Sequence, residues 1–192
     1  MPRWDPQAEE RLRNAALELF DEHGYDNVTV TQITERAGLT RRTFSRYFAD
    51  KRDVLFAGSE RLPAALAEAV TQADPALSPA EAMLAGLVTV GELLTELVHR
   101  AAQRRAIISG SPELQERERT KFAAVTEALT EALQQRGAGE PAAKLLAPVG
   151  VALFQTAFER WTDQPEQAGF AARFRAAATE LTDSLGTAVI PV

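Results

Sequence analysis

The chain has 192 residues, 45% of them hydrophobic and 25% charged, and a net charge of −6. Cysteine is absent and the only histidines are His23 and His99, which excludes disulfides, thiolate chemistry and a histidine-rich metal site. No run approaches 18 uninterrupted apolar residues and the start "MPRWDPQAEERLRNA" lacks a secretory core, so no membrane span or membrane partner is expected, and cytoplasmic placement is.

The elements read in chain order are all helical. Leu12, Ala15, Ala16, Leu19 and Phe20 make one stripe of a first helix over 6–23, ending at Gly24. "TVTQ" at Thr29–Gln32 has capping-box spacing and starts a short helix that stops at Gly38. Thr40 caps another over 41–47, and Asp50 is expected to cap one long helix over 51–71. After the turn-rich "QADPALSP", helices are expected at 79–98, 100–109, 112–136, 141–162 and 166–186. Ser78 and Ser111, each before a proline, are the expected caps of two of these. β-branched residues do not alternate with polar ones over any useful length; "TAVIPV" at the C-terminus reads as a loose tail. The fold is therefore expected to be all-α, with about nine helices.

Charge is distributed unevenly. Residues 36–52 carry six basic side chains against Asp50 alone, a net of +5, so the remainder of the chain carries −11. A positive patch on an acidic body binds a polyanion in one orientation, where a uniformly basic protein would bind it anywhere. The patch coincides with two short helices joined at Gly38, the pattern of a helix-turn-helix. Val30, Ile33, Ala37, Leu39 and Phe44 are the apolar positions expected to pack this pair onto the first helix. Thr40, Arg41, Arg42, Thr43, Ser45 and Arg46 are left for the other surface of the second. An α-helix fits the DNA major groove, where arginine forks onto guanine and hydroxyls reach phosphates or base edges. Thr29 and Thr40 place helix starts toward phosphate, and Lys51 is expected to add a phosphate contact.

The stretch "AALELFDEHGYDNVTVTQITERAGLTRRTFSRYFADKRDVLFA" (Ala15–Ala57) resembles the DNA-binding domain of TetR-family transcriptional regulators. The resemblance rests on "G-Y-D", "T-V-x-x-I", "A-G-L-T", "T-F-x-R-Y-F" and "K-x-x-V-L" at fixed spacings. It implies DNA contact by the recognition helix and a phosphate hydrogen bond from Tyr47. Ser45 departs from the pattern, which commonly has an aromatic there, so apolar contact with the DNA is reduced at that point. Residues 1–52 are then the helix-turn-helix domain, and 53–192 the helical effector-binding and dimerisation domain.

Independently of the resemblance, "AKLLAPVGVALFQTAFERW" (Ala143–Trp161) is apolar nearly all round and must be buried on both sides. It is expected to pair, with the helix "AGFAARFRAAATELTDSL", against copies across a two-fold axis, with Val151 and Phe154 at the partner side. The region "AAQRRAIISGSPELQERERTKFAAVTEALTEALQQRG" resembles TetR-like regulators of acyl-CoA-like ligands. This implies effector walls that include Leu87, Val90, Leu94, Phe122, Phe154, Phe158 and Trp161, with His99 and Gln103 as polar candidates. Arg104 and Arg105 are read as a grip for a ligand phosphate or as partners of Glu18, Asp21 and Glu22.

Together these readings describe a homodimeric regulator that binds double-stranded DNA at an inverted repeat. It would act as a repressor released by a small apolar effector, with no cofactor, no metal and no enzymatic activity. One alternative is a DNA-binding regulator without an effector, whose C-terminal half makes protein contacts. The other is an all-α enzyme, for which the chain lacks GxGxxG, P-loop and HExxH motifs.

Overall fold

Glycine and proline decide where the helices break. A computed structural model describes residues 6–97 and 100–186, and every regular element among them is helical. In order these are α1 (Pro6–His23), α2 (Val30–Arg36), α3 (Arg41–Tyr47), α4 (Asp53–Phe56), α5 (Leu62–Thr71), α6 (Pro79–Leu97), α7 (Ala101–Ser109), α8 (Pro112–Gln135), α9 (Glu140–Asp163) and α10 (Phe170–Gly186). Short 3-10 turns occupy Tyr25–Asn27 and Ser59–Arg61. The C-terminal "TAVIPV" lies outside the described residues.

The count differs from the nine expected because the helix over 51–71 is broken. Ala57 leaves helical geometry at ψ 129° and Gly58 follows at φ 85°, a left-handed conformation that a side chain disfavours. Pro63 then sits in the first turn of α5, where its missing N–H does no harm, whereas inside a continuous helix it would clash with the preceding turn. Two further expectations shift. α10 starts at Phe170 and not near Pro165, because residues 165–167 form a turn in which Gln167 N–H donates to the Gln164 carbonyl at 3.3 Å. Ser78 caps α6 reciprocally with Glu81, but the Ser111 hydroxyl before α8 is buried with no hydrogen-bond partner.

By packing, Met1–Glu60 group with Arg100–Lys121, and Arg61–His99 with Phe122–Val192, a partition by compactness that differs from the expected division at residue 52. The first unit is built on Leu12, Ala16, Phe20, Ile33, Phe44 and Phe48, joined by Val54, Leu55 and Phe56 of α4 and by Ile107, Ile108 and Leu114.

The second unit brings α5, α6, α9, α10 and the C-terminal part of α8 around Leu66, Met83, Leu87, Leu129, Leu133 and Phe154. Glycine lets its helices close. A Cβ on Gly91 would lie 2.0 Å from the Phe170 ring, and one on Gly150 would lie 2.8 Å from Met83 Sδ. Arg136 fastens the linker before α6 by donating to the carbonyls of Ala73, Asp74 and Leu77 at 2.7–3.0 Å. By length and composition α9 could cross a membrane, yet Ala143, Ala147, Gly150, Leu153 and Ala157 are buried within this unit, as in a core helix.

The two faces expected of α9 are redistributed. Val151 (6% exposed) and Phe154 (4%) face the unit's own core, while Leu145 (71%) and Val149 (40%) are exposed. The all-round apolar composition hid a registry that only packing sets.

Candidate nucleic-acid interface

The helix-turn-helix is fixed by caps at both helix starts. Thr29 Oγ1 accepts from Gln32 N–H at 3.3 Å and Gln32 Oε1 accepts from Thr29 N–H at 2.8 Å, the reciprocal box its spacing predicts. Thr40 Oγ1 accepts from Thr43 N–H at 3.1 Å, and the two threonine hydroxyls lie 3.0 Å apart. Gly38, at φ 64°, turns the chain between α2 and α3, and its amide donates to the Glu35 carbonyl. The Arg11 guanidinium of α1 closes over this turn and donates to the Ala37 carbonyl. Arg11 lies 26 positions from its partner, so nothing local in the sequence marks it.

Phe44 and Phe48 are buried with ring centroids 5.4 Å apart, which anchors α3 and sets its rotation. That rotation leaves Thr40, Arg41, Arg42, Ser45 and Arg46 exposed, and Thr43 and Tyr47 half-exposed, on one continuous face. An Arg46 terminal nitrogen donates to the Tyr47 hydroxyl at 2.7 Å, with the guanidinium carbon 4.8 Å from the ring centroid. The two side chains are thereby held as a pair.

The positive patch is narrower than the charge count. Arg36 is forked onto Glu22 at 2.8 and 3.0 Å, with Glu18 at 3.7 Å, which holds the Glu22 carboxyl below its usual range. Arg52 bridges Asp50 and Glu113, the latter at 3.0 Å, and its guanidinium lowers the Asp50 pKa. Asp50 Oδ1 also accepts from the N–H groups of Arg52 and Asp53 at 2.8 and 3.0 Å, which closes the turn before α4; the helix itself starts at Asp53 and not at the expected Lys51, with no side-chain cap. Lys51 is engaged with main-chain carbonyls. The exposed cations on α3 are Arg41, Arg42 and Arg46.

α7 and the start of α8 buttress α4 in the same unit. Arg104 donates to the Leu55 carbonyl and approaches Glu118 at 3.4 Å, and its guanidinium carbon lies 5.1 Å from the Phe56 ring centroid. Its expected partners Glu18, Asp21 and Glu22 are thus not the ones it meets; Glu18 is met instead by Arg100, at 3.5 Å. Burial pushes the Lys121 ammonium down to about 8 against the opposing pull of Glu118, 2.8 Å away.

The residues expected to line an effector site are divided. Leu87, Val90 and Phe154 are buried, and Leu94, Phe122 and Phe158 pack partly buried against the same core. Phe158 bridges Phe154 and Trp161, with centroids 6.3 and 5.5 Å away. Gln103 falls in the other unit, its amide 3.5 Å from the Leu17 carbonyl, and His99 lies outside the described residues. The two cavities described, about 310 and 190 Å³, are lined by residues of the first unit, not by these.

A buried-anchored helix with an exposed basic face behind a glycine turn defines a helix-turn-helix DNA-binding protein. The family model for bacterial regulatory proteins of the tetR family matches residues 12–57, and that for the MftR C-terminal domain matches 77–186. The chain belongs to the TetR family of transcriptional regulators, with a C-terminal domain of the MftR type.

Among relatives, it is 28% identical over 182 residues to a protein of Mycobacterium tuberculosis described as mycofactocin biosynthesis transcriptional regulator MftR, covering 92% of this chain and 85% of that one. Its fold is shared with SmeT, the repressor of a Stenotrophomonas maltophilia multidrug efflux pump, in complex with triclosan. That match has a TM-score of 0.63 and 22% identity over 97% of this chain and 99% of that one. It is also shared with Thermus thermophilus FadR in complex with lauroyl-CoA (TM-score 0.52, 22% identity, 96% and 97% coverage).

Proposed function

We propose that this regulator is a homodimeric, cytoplasmic repressor that grips an inverted-repeat operator with two copies of α3 and is released when a small, largely apolar effector enters the 53–192 part. The reading is carried by the exposed face of Arg41, Arg42, Ser45 and Arg46 over the buried Phe44 and Phe48. Arg42 or Arg46 reads guanine edges while the other cations and the Tyr47 hydroxyl hold phosphates. Ser45 offers a single hydroxyl where an aromatic would give apolar contact. Two recognition helices about 34–36 Å apart would match successive major grooves. Roles divide at residue 52, with 1–52 binding DNA and 53–192 receiving effector and partner.

The effector walls are assigned to Leu87, Val90, Leu94, Phe122, Phe154, Phe158 and Trp161. The fold neighbours bound to lauroyl-CoA and triclosan support an apolar or acyl-CoA-like compound. An effector acts only through different affinities for the DNA-matched and unmatched dimers, so its entry must move these walls apart. A second reading, a regulator whose larger part makes protein contacts only, is favoured by the burial of Leu87, Val90 and Phe154 in one packed core.

One titration tests both readings. Duplexes selected from a random pool are bound by the full chain and followed by fluorescence anisotropy. Arg42→Ala with Arg46→Ala is expected to abolish preference for the selected duplex while leaving the mass of the free protein unchanged; undiminished affinity overturns the assignment. Lauroyl-CoA added to the wild-type complex is expected to release the duplex. Retention of the duplex with no binding of the compound supports the protein-contact reading.

A further inference from the structure

We propose that Lys51 is a positioning residue for DNA recognition: its ammonium clasps the turn between α1 and α2 and sets the start of α2, and it does not grip a phosphate. The inference rests on the DNA-binding reading above. Lys51 Nζ donates to the Tyr25 carbonyl at 2.8 Å and the Val28 carbonyl at 3.1 Å, with the Asp26 carbonyl at 3.5 Å. It also stands 4.1 Å from the centroid of the Tyr25 ring. An ammonium has three N–H donors and no acceptor, so three convergent carbonyls leave none for a DNA oxygen.

The site is set from both sides. The 3-10 turn Tyr25–Asn27 closes on one bond, from Val28 N–H to the Tyr25 carbonyl at 3.3 Å, and a cation at a helical C-terminal end meets the negative pole of the peptide dipoles. Tyr25 is itself pinned, its ring 5.2 Å from Phe20 of α1. On the other side Asp50 and Arg52 are locked to each other, and Arg52 to Glu113, so the backbone that carries Lys51 is fixed. Val28 is buried and directly precedes Thr29, the cap of α2. Lys51, two residues before α4, thus ties that segment to Val28, the residue before the cap of α2, and α2 supports α3.

A guanidinium would satisfy a phosphate at least as well as an ammonium, but its planar fork does not fit three carbonyls converging beneath an aromatic face. Lys51→Arg therefore separates the roles without changing charge. In the full chain, Lys51→Arg and Lys51→Met are compared with wild type by amide hydrogen exchange of the free protein and by affinity for the selected and a scrambled duplex. Both variants are expected to exchange Tyr25–Gln32 roughly tenfold faster, with protection in α6 and α9 unchanged.

Lys51→Arg is expected to lose about tenfold in affinity for the selected duplex and nothing for the scrambled one, so that the ratio of the two falls. A merely structural lesion would lower both affinities together. The proposal is overturned if exchange is unchanged and Lys51→Arg binds like wild type. It is overturned equally if Lys51→Met weakens both duplexes alike and makes the salt dependence shallower by about one in slope, as removal of a phosphate grip would. Should Lys51→Met lose protection throughout the chain, Lys51→Arg decides alone. Failure of the recognition-helix reading would appear separately, as unaltered binding by the Arg42 and Arg46 variant, while the exchange result needs no DNA.

Discussion

Phe170 occupies the space that Gly91 leaves beside α6, and this pair illustrates how single residues set the packing of the larger unit. The ring is buried and contacts Phe154 and Phe174, with centroids 5.3 and 6.0 Å away, so it has little room to retreat from a new methyl group. Gly91→Ala is expected to destabilise the protein by about 1–3 kcal/mol through overpacking, despite alanine's better helix propensity. Thermal unfolding checks this; a raised midpoint would mean that the ring yields freely. In the sequence Gly91 is only a glycine inside a helical pattern, because the partner that makes it necessary is 79 positions away.

Among the elements, α6 and α8 begin with the same Ser-Pro signal and are started by different physics. Ser78 Oγ accepts from Glu81 N–H at 3.3 Å, and Glu81 accepts in return from the Ser78 N–H and hydroxyl, which also lowers the Glu81 pKa. Ser111 Oγ is buried and unpartnered. Ser78→Ala is therefore expected to lower stability by about 1 kcal/mol, and Ser111→Ala to leave it unchanged or raise it, since removing an orphan hydroxyl ends a desolvation penalty. Denaturant unfolding of the two variants side by side tests the contrast; equal losses would put a hydrogen bond on Ser111 in solution. Capping spacing is legible at Thr29, Thr40 and Ser78 because the partners lie within three residues. The break at Gly58 is not, because apolar periodicity continues across it, from Leu55 to Leu66.

For the whole molecule the proposed dimer depends on which side of α9 is free. A charge at Val151 or Phe154 would disrupt the protomer's own core, and its effect would not report on association. Leu145 and Val149 are the large exposed apolar side chains of α9, with Ala152 one turn beyond Val149 and also exposed. Leu145→Glu with Val149→Glu is expected to give a folded monomer, because like charges meet across a two-fold axis where apolar side chains would have met. Sedimentation and circular dichroism together check this: a helical dimer that persists would move the interface elsewhere. The same variant should lose the high affinity for an inverted repeat that comes from two linked half-sites.

From the sequence alone came the helical class, the helix-turn-helix and the membership in a regulator family, because caps, turns and periodic apolar faces are local and repeat at fixed spacings. The exposed set Arg41, Arg42, Ser45 and Arg46 was legible for the same reason, once Phe44 was placed inside. The tertiary structure decided which cations are spent on partners within the chain, as at Arg11, Arg36, Lys51 and Arg52, and which face of α9 is covered. Those outcomes depend on residues brought together from far apart along the chain, and no local pattern encodes such a meeting.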